Sequence, residues 1–148
     1  MNVGVDLFEV ARISRIAAHP AGQRLVFSAR ELAHADTLGP QRRLEYLAGR
    51  LSAKEATAKA LGRGLGQGLV WREIEVLSDD TGAPRVYLSG GAASIANQAG
   101  LARITLSLSH QTGLVFCVAL AEQGQPRWPE TIPSPPAATR SKEPDPWT

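Results

Sequence analysis

The sequence predicts an α+β domain in which a mostly antiparallel sheet packs against one long helix. Three observations support this class. Apolar residues recur at helical spacing over residues 42–62, two alternating runs flank the turn sequence DDTGAP at 79–84, and two more alternating runs fill 102–122. Alternating runs joined by short turns pair as antiparallel neighbours, and the long helix can then cover one face of their sheet.

The N-terminal segment predicts a strand followed by a helix. Residues 1–8 alternate apolar side chains, and we expect this strand to end near Asp6. Residues 9–19 carry apolar side chains at helical spacing, and the PAG sequence at 20–22 is expected to stop that helix.

Two further helices have recognisable terminal signals. Ser28 is followed three residues later by Glu31, which is a capping-box pattern at the start of a helix. The long helix is expected to begin at Arg42, and the first glycines of the sequence GRGLGQG, Gly62 and Gly64, are expected to end it. This glycine-rich segment lacks the spacing of a Walker loop, so it either lets the backbone approach a ligand or serves as a helix cap and linker.

The composition divides the chain into a domain of residues 1–122 and a tail of residues 123–148. The tail holds 7 of the 10 prolines and has neither helical nor strand periodicity. Such a segment cannot bury enough apolar surface to offset the entropy lost on ordering. We therefore expect a disordered tail, or a strap fixed to the domain by Trp128 or Trp147.

Composition also argues against several classes of protein. The longest apolar run, residues 114–121, is far too short to span a membrane, and the single cysteine, Cys117, excludes an internal disulfide and a cysteine-rich zinc site. We expect a cytoplasmic protein. An aromatic content of 5% argues against nucleic acid as a partner. Residues 1–72 carry 11 Lys and Arg against 6 Asp and Glu, which indicates an anionic ligand or an acidic partner.

The long helix places two charged residues beside its buried face. Leu47, Leu51 and Ala58 recur at spacings of four and seven and define a stripe that faces the core. Glu55 lies beside this stripe, and Lys59 follows it by one turn. An i,i+4 Glu→Lys pair would explain both residues and contribute roughly 0.2–0.5 kcal/mol. A carboxylate near the apolar side is nevertheless costly unless a cation compensates its charge.

Asp6 offers a second carboxylate at the expected end of the first strand. Taken alone, Asp6 is better explained as a helix N-cap. Together with Glu55, however, it suits a hard divalent ion such as Mg²⁺, which takes one or two protein oxygens and completes its shell with phosphate and water. The two carboxylates are therefore a candidate magnesium site.

Basic side chains provide candidates for binding an anion. His110 lies at the break expected between the last two strands. A lone histidine is more often structural than functional, but near a phosphate it could donate to an anionic oxygen or transfer a proton. Guanidinium groups bind phosphate and carboxylate bidentately, although any single arginine is more simply explained as solvated surface. The arginines form two groups, one in the first helix and one in the long helix: Arg12 and Arg15, and Arg42, Arg43 and Arg50.

In combination, these segments resemble the holo-acyl-carrier-protein synthase family, the small phosphopantetheinyl transferases. The matching segments occur in the family order and cover nearly all of residues 1–122. The KEAxxK helix, the GxD sequence before it and the SLSH sequence after it make the resemblance specific. The segments are VGVDLFEVARI (3–13), FSARELAHA (27–35), RRLEYLAGRLSAKEATAKALGRGLG (42–66), EIEVLSDDTGAPRV (73–86) and ITLSLSHQTGLVFCVALAE (104–122).

The resemblance implies a fold and a reaction. It implies the 4′-phosphopantetheinyl transferase fold, assembly as a homotrimer, and coenzyme A bound between neighbouring subunits. The implied reaction is Mg²⁺-dependent transfer of 4′-phosphopantetheine from coenzyme A to a serine of apo acyl carrier protein, with release of 3′,5′-ADP. The serine proton would pass to a bound water or to a carboxylate.

The resemblance also implies roles for individual residues. Asp6 and Glu55 match the metal-binding carboxylates, and Lys59 matches a lysine that contacts the coenzyme A phosphates. Glu55, Lys59 and His110 are therefore the expected catalytic residues. The other matches are Arg42, Arg43, Arg50 and His110 near the nucleotide and its 3′-phosphate, Gly62 and Gly64 in the loop lining the coenzyme A cleft, and Arg12 and Arg15 on the helix that meets the acidic carrier.

Two other functions are compatible with the residues alone. One is a non-catalytic module that holds coenzyme A, another nucleotide or an acidic protein. The other is a metal-dependent phosphohydrolase that uses the same two carboxylates and needs no carrier. The identity of the product distinguishes the three functions.

Overall fold

The structure, a computed structural model, describes residues 1–64, 67–125 and 128. Five strands form one sheet in the order β1-β5-β4-β3-β2, and the paired neighbours are antiparallel. The strands are β1 Asn2–Glu9, β2 Ile74–Ser78, β3 Pro84–Leu88, β4 Leu101–Gln111 and β5 Leu114–Gln123. The helices are α1 Ser14–Ala17, α2 Pro20–Val26, α3 Ala29–Ala35, α4 Pro40–Ala60 and α5 Gly90–Gln98, with 3₁₀ turns at Val10–Ile13 and Trp71–Glu73. The predicted α+β class with one dominant helix is confirmed.

The long helix, α4, buries the predicted stripe: Leu47, Leu51 and Ala58 are all in the core. The helix begins at Pro40, two residues earlier than predicted, because proline suits the first helical position, where its missing N–H is not needed. After the last turn, Gly62 has a φ of 73°, the left-handed conformation that commonly ends a helix.

β1 lies unusually close to α4 at Gly4. A Cβ atom at this position would lie 1.9 Å from the carbonyl oxygen of Ala56 and 2.6 Å from the backbone nitrogen of Ala60. Glycine permits this approach because it has no side chain. Asn2 Nδ2 donates to the carbonyl oxygen of Ala60 at 3.1 Å and fixes the same contact. Because side chains alternate along a strand, Asp6 is on the face of β1 that Gly4 presents to α4.

The N-terminal segment differs from the prediction in three ways. β1 pairs with β5 as far as Glu9, so Asp6 lies within the strand rather than at its end. The residues after β1 form the 3₁₀ turn Val10–Ile13 and the short helix α1, not one helix over 9–19. The PAG sequence begins α2, with Pro20 at its first position, and does not end a helix.

Two predicted local features are confirmed. The Ser28 Oγ accepts from the backbone N–H of Glu31 at 3.2 Å, and a carboxylate oxygen of Glu31 accepts from the backbone N–H of Ser28 at 2.7 Å, which completes the capping box. The DDTGAP sequence connects β2 and β3, and Asp79 Oδ1 accepts from the backbone N–H groups of Thr81 and Ala83 at 2.9 and 3.0 Å.

The turn between the last two strands lies later than predicted. β4 and β5 remain paired as far as Gln111, so His110 belongs to β4 and not to a break. Thr112 and Gly113 have φ angles of 49° and 77°. Positive φ at both central residues is typical of the type I′ turn, which matches the twist of paired strands.

Part of the predicted tail contacts the domain. Trp128 Nε1 donates to the carbonyl oxygen of Leu101 at 2.7 Å, and the carbonyl oxygen of Trp128 accepts from Asn97 Nδ2 at 3.3 Å. The indole also packs against the core. Trp147 and the predicted disorder of the last twenty residues lie outside the described residues.

The sheet has an exposed apolar face on β1 and β5. The apolar side chains whose alternation predicted β1 point away from α4 and are exposed to solvent. Five side chains on these two strands are 41–63% exposed: Val3, Val5, Leu7, Leu114 and Phe116. We call these five residues the outer apolar face.

Candidate active site

The contact between β1 and α4 brings two carboxylates and one ammonium group together. Asp6 comes from β1, and Glu55 and Lys59 lie one turn apart on α4. Lys59 Nζ donates to Asp6 Oδ1 at 3.1 Å and to the carbonyl oxygen of Val5 at 2.8 Å. The ammonium group of Lys59 therefore pairs with Asp6 across the contact. We call Asp6, Glu55 and Lys59 the carboxylate cluster.

The charges of this cluster are incompletely compensated. Burial raises the pKa of Glu55, the negative charge of Asp6 raises it further, and Lys59 opposes both effects. Asp6 Oδ2 is buried and has no hydrogen-bond partner among the described residues. A cation placed between the two carboxylates would satisfy this oxygen and offset the repulsion between them.

Cys117 lies opposite Asp6 in the pairing of β1 with β5. Burial and the nearby Asp6 charge raise the pKa of its thiol to about 12. The thiol is therefore protonated near neutral pH, and Cys117 is a core residue rather than a nucleophile.

A second cluster of polar side chains lies on a different side of α4 from the carboxylate cluster. In the described part of the sheet, β3 and β4 are paired at Arg85 and Thr105, whereas β4 continues to Gln111. A cleft of about 750 Å³ opens between this part of β4, the first half of α4 and the β2–β3 turn. Three of the predicted anion-binding residues line it: Arg42, Arg50 and His110. We call this space the arginine cleft.

Arg50 is held in the arginine cleft with one donor unused. It is 7% exposed, and its guanidinium carbon lies 4.2 Å from the ring centroid of Tyr46. Arg50 Nη2 donates to Ser78 Oγ at 2.9 Å, while its Nε is buried without a partner among the described residues. A guanidinium group fixed in this way is suited to an anionic oxygen, because its orientation is already set.

His110 packs over Gly49 of α4. A Cβ at Gly49 would lie 3.4 Å from His110 Cε1, so the glycine leaves room for the ring. Burial lowers the pKa of His110, the charge of Glu45 opposes this effect, and the charge of Arg50 adds to it. The neutral imidazole is therefore favoured near neutral pH, and it retains one N–H donor for a ligand oxygen.

Three of the predicted arginines lie outside both clusters. Arg43 Nη2 donates to Gln23 Oε1 at 2.8 Å and to Asp36 Oδ1 at 3.2 Å, and Arg43 does not line the cleft. Arg12 and Arg15 are exposed on the segment that follows β1. They carry no acidic partner in the described part of the chain, so their charges are available to a binding partner.

The two predicted loop glycines follow the C-terminus of α4. Gly62 and Gly64 are exposed and do not line the arginine cleft. The backbone N–H of Gly64 donates to Gln67 Oε1 at 3.3 Å. Residues 65–66 of the same glycine-rich segment lie outside the described residues.

A buried ion pair between α3 and α4 was not predicted from the sequence. Lys54 is fully buried, and its Nζ lies 2.9 Å from Glu31 Oε2. The same ammonium group donates to the carbonyl oxygens of Trp71, at 3.1 Å, and Ile74. The spacing did contain the signal, since Lys54 follows Leu47 by seven residues and therefore lies on the buried stripe.

Comparison with known proteins decides the family. Residues 2–116 match the 4′-phosphopantetheinyl transferase superfamily. The chain belongs to this superfamily. The holo-[acyl-carrier-protein] synthase of Moorella thermoacetica is 40% identical over 123 residues, which cover 82% of this chain and 94% of that protein.

Solved structures of the superfamily have the same fold. The acyl carrier protein synthase of Plasmodium yoelii, solved with ADP bound, has a TM-score of 0.74 and 32% identity, and the match covers 84% of this chain and 96% of that one. The holo-(acyl-carrier-protein) synthase of Bacillus anthracis, in complex with CoA (3′,5′-ADP), has a TM-score of 0.70 and 28% identity, with 83% and 96% covered. The resemblance recognised in the sequence is confirmed.

Proposed function

We propose that the chain is a holo-acyl-carrier-protein synthase, which transfers 4′-phosphopantetheine from coenzyme A to a serine of an acyl carrier protein. The carrier serine Oγ gives its proton to a bound water or to a carboxylate and forms a bond to the phosphorus that bears pantetheine. The bond from this phosphorus to the bridging oxygen breaks, and 3′,5′-ADP leaves with that oxygen. The observation that carries this proposal is the carboxylate cluster. In this chain, which belongs to the superfamily, Asp6 Oδ2 has no hydrogen-bond partner among the described residues.

The residues of the carboxylate cluster fit Mg²⁺. Asp6 Oδ2 is buried without a partner, and the Asp6 charge adds to burial in raising the pKa of Glu55. No group of three or more His, Cys, Asp and Glu side chains suited to a metal occurs within residues 1–64, 67–125 and 128. A two-carboxylate site is typical of Mg²⁺, which keeps water and substrate phosphate as its other ligands. When bound, the ion would neutralise charge on the diphosphate.

The other polar residues have distinct proposed roles. Lys59 binds the phosphates of coenzyme A from the α4 side of the cluster. Arg42, Arg50 and His110 hold the nucleotide and its 3′-phosphate in the arginine cleft. The buried, unpartnered Nε of Arg50 supports this assignment, because it offers a donor to an anion at a fixed position. We also propose that Arg43 contacts the nucleotide and that Gly62 and Gly64 line the coenzyme A cleft. None of the three lines the arginine cleft, so these contacts would be made to the substrate or to a neighbouring subunit.

The relative position of the two clusters supports a shared site in a homotrimer. Arg50 and Glu55 are five residues apart on α4, which places them about 140° apart around the helix axis and roughly 7.5 Å along it. One ligand would have to pass around the helix to touch both within a single subunit. We propose that the arginine cleft of one subunit faces the carboxylate cluster of the next, and that the outer apolar face is buried between subunits.

The exposed arginines of the first helical segment provide a surface for an acidic carrier. Arg12 and Arg15 are both exposed, and the Arg12 guanidinium lies 5.6 Å from the centroid of the Phe8 ring. Paired cations on a short, fixed segment would steer an acidic protein toward β1 and the carboxylate cluster.

We propose that the reaction takes place in the cytoplasm. The single cysteine, Cys117, is free and buried, as is common in reducing compartments. None of the helices among the described residues has the length and apolar character that crossing a membrane requires.

Analysis of the nucleotide product tests this function against the two alternatives. Incubation with coenzyme A and Mg²⁺ should release 3′,5′-ADP when an apo carrier is present and should release none without it. Release without carrier would identify a phosphohydrolase. Binding of coenzyme A with no release under either condition would identify a binding module.

A further inference from the structure

We propose that Lys59 is an internal counter-ion of the carboxylate cluster, which weakens metal binding until the phosphates of the nucleotide draw its ammonium group away from Asp6. The inference rests on the proposed function, because it takes the carboxylate cluster to be the metal site. It adds a second role for Lys59, exerted before the substrate binds.

The two carboxylate oxygens of Asp6 have different environments. Oδ1 accepts from Lys59 Nζ at 3.1 Å, and Oδ2 is buried without a partner in the described chain. The Lys59 ammonium group also donates to the carbonyl oxygen of Val5 at 2.8 Å. It therefore occupies one side of the space that a metal bound to Asp6 and Glu55 would share.

The charges set the sign of the effect. With both carboxylates ionised, Asp6, Glu55 and Lys59 together carry one net negative charge. A divalent cation entering beside Lys59 reverses this charge and meets the repulsion of an ammonium group already in contact with Asp6. The free protein therefore binds a divalent metal more weakly than the two carboxylates would bind it in the absence of Lys59.

Lys59 is able to leave its position, unlike the other lysine of the same helix. Its side chain is 49% exposed, whereas that of Asp6 is 13% exposed. Lys54 is 0% exposed and is held by Glu31 and two carbonyl oxygens. A flexible, half-exposed ammonium group can turn toward a phosphate without leaving a buried donor unpaired.

Movement of Lys59 couples the metal to the nucleotide. Phosphate oxygens attract the ammonium group away from Asp6, which lowers the repulsion that the metal meets. By linkage, each ligand then strengthens the binding of the other. Replacement of Lys59 by a neutral side chain should tighten metal binding in the absence of nucleotide and reduce this coupling.

Mn²⁺ titration of the full chain, followed by the electron paramagnetic resonance signal of the free ion, tests the inference. Lys59→Met should bind Mn²⁺ about tenfold more tightly than wild type without nucleotide, the size expected for one nearby charge. Added 3′,5′-ADP should strengthen Mn²⁺ binding less in the variant than in wild type. Damage to the site would weaken Mn²⁺ binding, so the sign separates the inference from a structural role.

Two controls make the outcomes distinguishable. Arg103→Met removes another cation paired with a carboxylate, that of Glu122 at 3.7 Å, and should leave Mn²⁺ affinity unchanged. Mn²⁺ binding that Glu55→Gln does not weaken would refute the metal site of the proposed function itself. If Glu55→Gln weakens Mn²⁺ binding, but Lys59→Met binds Mn²⁺ no more tightly than wild type, only the counter-ion inference is overturned. Absence of Mn²⁺ binding in wild type and Lys59→Met, with and without 3′,5′-ADP, would overturn both.

Discussion

Lys54, Glu55 and Lys59 lie within two turns of α4 and have three different environments. Lys54 is buried and fully paired, Glu55 is half-buried with a raised pKa, and Lys59 is half-exposed and bound to Asp6. Lys54 lies about 100° around the helix axis from Glu55 and points to Glu31, whereas Glu55 and Lys59 are one turn apart on the side of α4 that faces Asp6. Burial of a charge therefore has a structural purpose at Lys54 and a proposed catalytic purpose at Glu55.

Lys54→Met is expected to destabilise the protein strongly. The substitution leaves the Glu31 carboxylate buried without its ammonium partner, and breaking a buried ion pair costs about 3–5 kcal/mol. Urea unfolding should report a loss of this size. The double variant Lys54→Met/Glu31→Gln should recover part of it, because both charges are then removed. A loss in Lys54→Met no larger than that in the exposed-pair control Arg103→Met would contradict this interpretation.

Glu55→Gln is expected to stabilise the metal-free protein at pH 7. Burial and the Asp6 charge raise the Glu55 pKa in the folded state, so the folded protein holds the proton more tightly than the unfolded chain. The stability this provides is present below the unfolded value of about 4.3 and is lost as pH rises through the folded value. Glutamine does not ionise and avoids the loss.

Thermal unfolding in EDTA measures this effect between pH 4 and pH 8. The melting temperature of Glu55→Gln should exceed that of wild type at pH 7, and the difference should shrink toward pH 4. Saturating Mg²⁺ should reverse the order, because only wild type retains both carboxylates. A variant that melts below wild type at pH 7 in EDTA would show that Glu55 is not under electrostatic strain.

At the scale of secondary structure, the close contact between β1 and α4 positions the carboxylate cluster. Gly4 allows the strand backbone to approach the turn of α4 formed by Ala56 and Ala60. Asp6 and Lys59 then meet at hydrogen-bond distance. The geometry of the proposed metal site therefore depends on a residue that makes no contact with a ligand.

Gly4→Ala is expected to lower both stability and activity. The added methyl group would lie 1.9 Å from a backbone oxygen, so β1 and α4 must separate, at about 3 kcal/mol or more. Gly22→Ala is the matched control, because its nearest atom would lie 3.6 Å away and alanine favours the helix interior, by about 0.4–1 kcal/mol. Denaturant unfolding should separate the two variants. Equal stability of Gly4→Ala and wild type would show that the contact is not tight in solution.

Elements with local signals were predictable from the sequence, and contacts between distant elements were not. The capping box of Ser28 and Glu31 and the turn after β2 rest on residues close together in the chain. Pro20 misled the prediction because proline either stops a helix or begins one, and here it begins α2. No local pattern marks Gly4 as the contact point of a helix more than fifty residues away.

The site was only partly predictable for the same reason. Asp6 and Glu55 were paired because two carboxylates suit Mg²⁺, and the resemblance supported the pairing. Spacing alone relates residues within an element and not between elements. The burial of Lys54 was available from its spacing, but its charge argued against a core position. Its burial depends on Glu31 and on carbonyl oxygens that other elements supply.

At the scale of the whole molecule, the outer apolar face and the separation of the two clusters both favour assembly into a homotrimer. An isolated subunit would expose contiguous apolar side chains and would divide its polar residues between two sides of α4. A closed homotrimer would bury the face and could bring clusters of neighbouring subunits together. Assembly and catalysis are then expected to fail together.

Val5→Glu and Phe116→Glu test this expectation. Both replace side chains of the outer apolar face that are 43% exposed, and a charge there should prevent burial between subunits. Light scattering after size-exclusion chromatography should show a trimer for wild type and monomers for these variants, with loss of transfer activity. Leu25→Glu alters an apolar side chain on α2 that is 66% exposed and should leave the trimer intact. A fully active wild-type monomer would refute the shared site.

The most direct test is intact-mass spectrometry of an apo acyl carrier protein after incubation with this protein and coenzyme A. With Mg²⁺ and wild type, the carrier should gain the mass of one phosphopantetheinyl group, and EDTA should abolish the gain. Glu55→Gln should give no gain although the variant is folded, because one of the two carboxylates proposed to hold the metal is absent. An equal gain with EDTA or with Glu55→Gln would contradict the metal site, and no gain on any carrier while coenzyme A is bound would contradict the transfer itself.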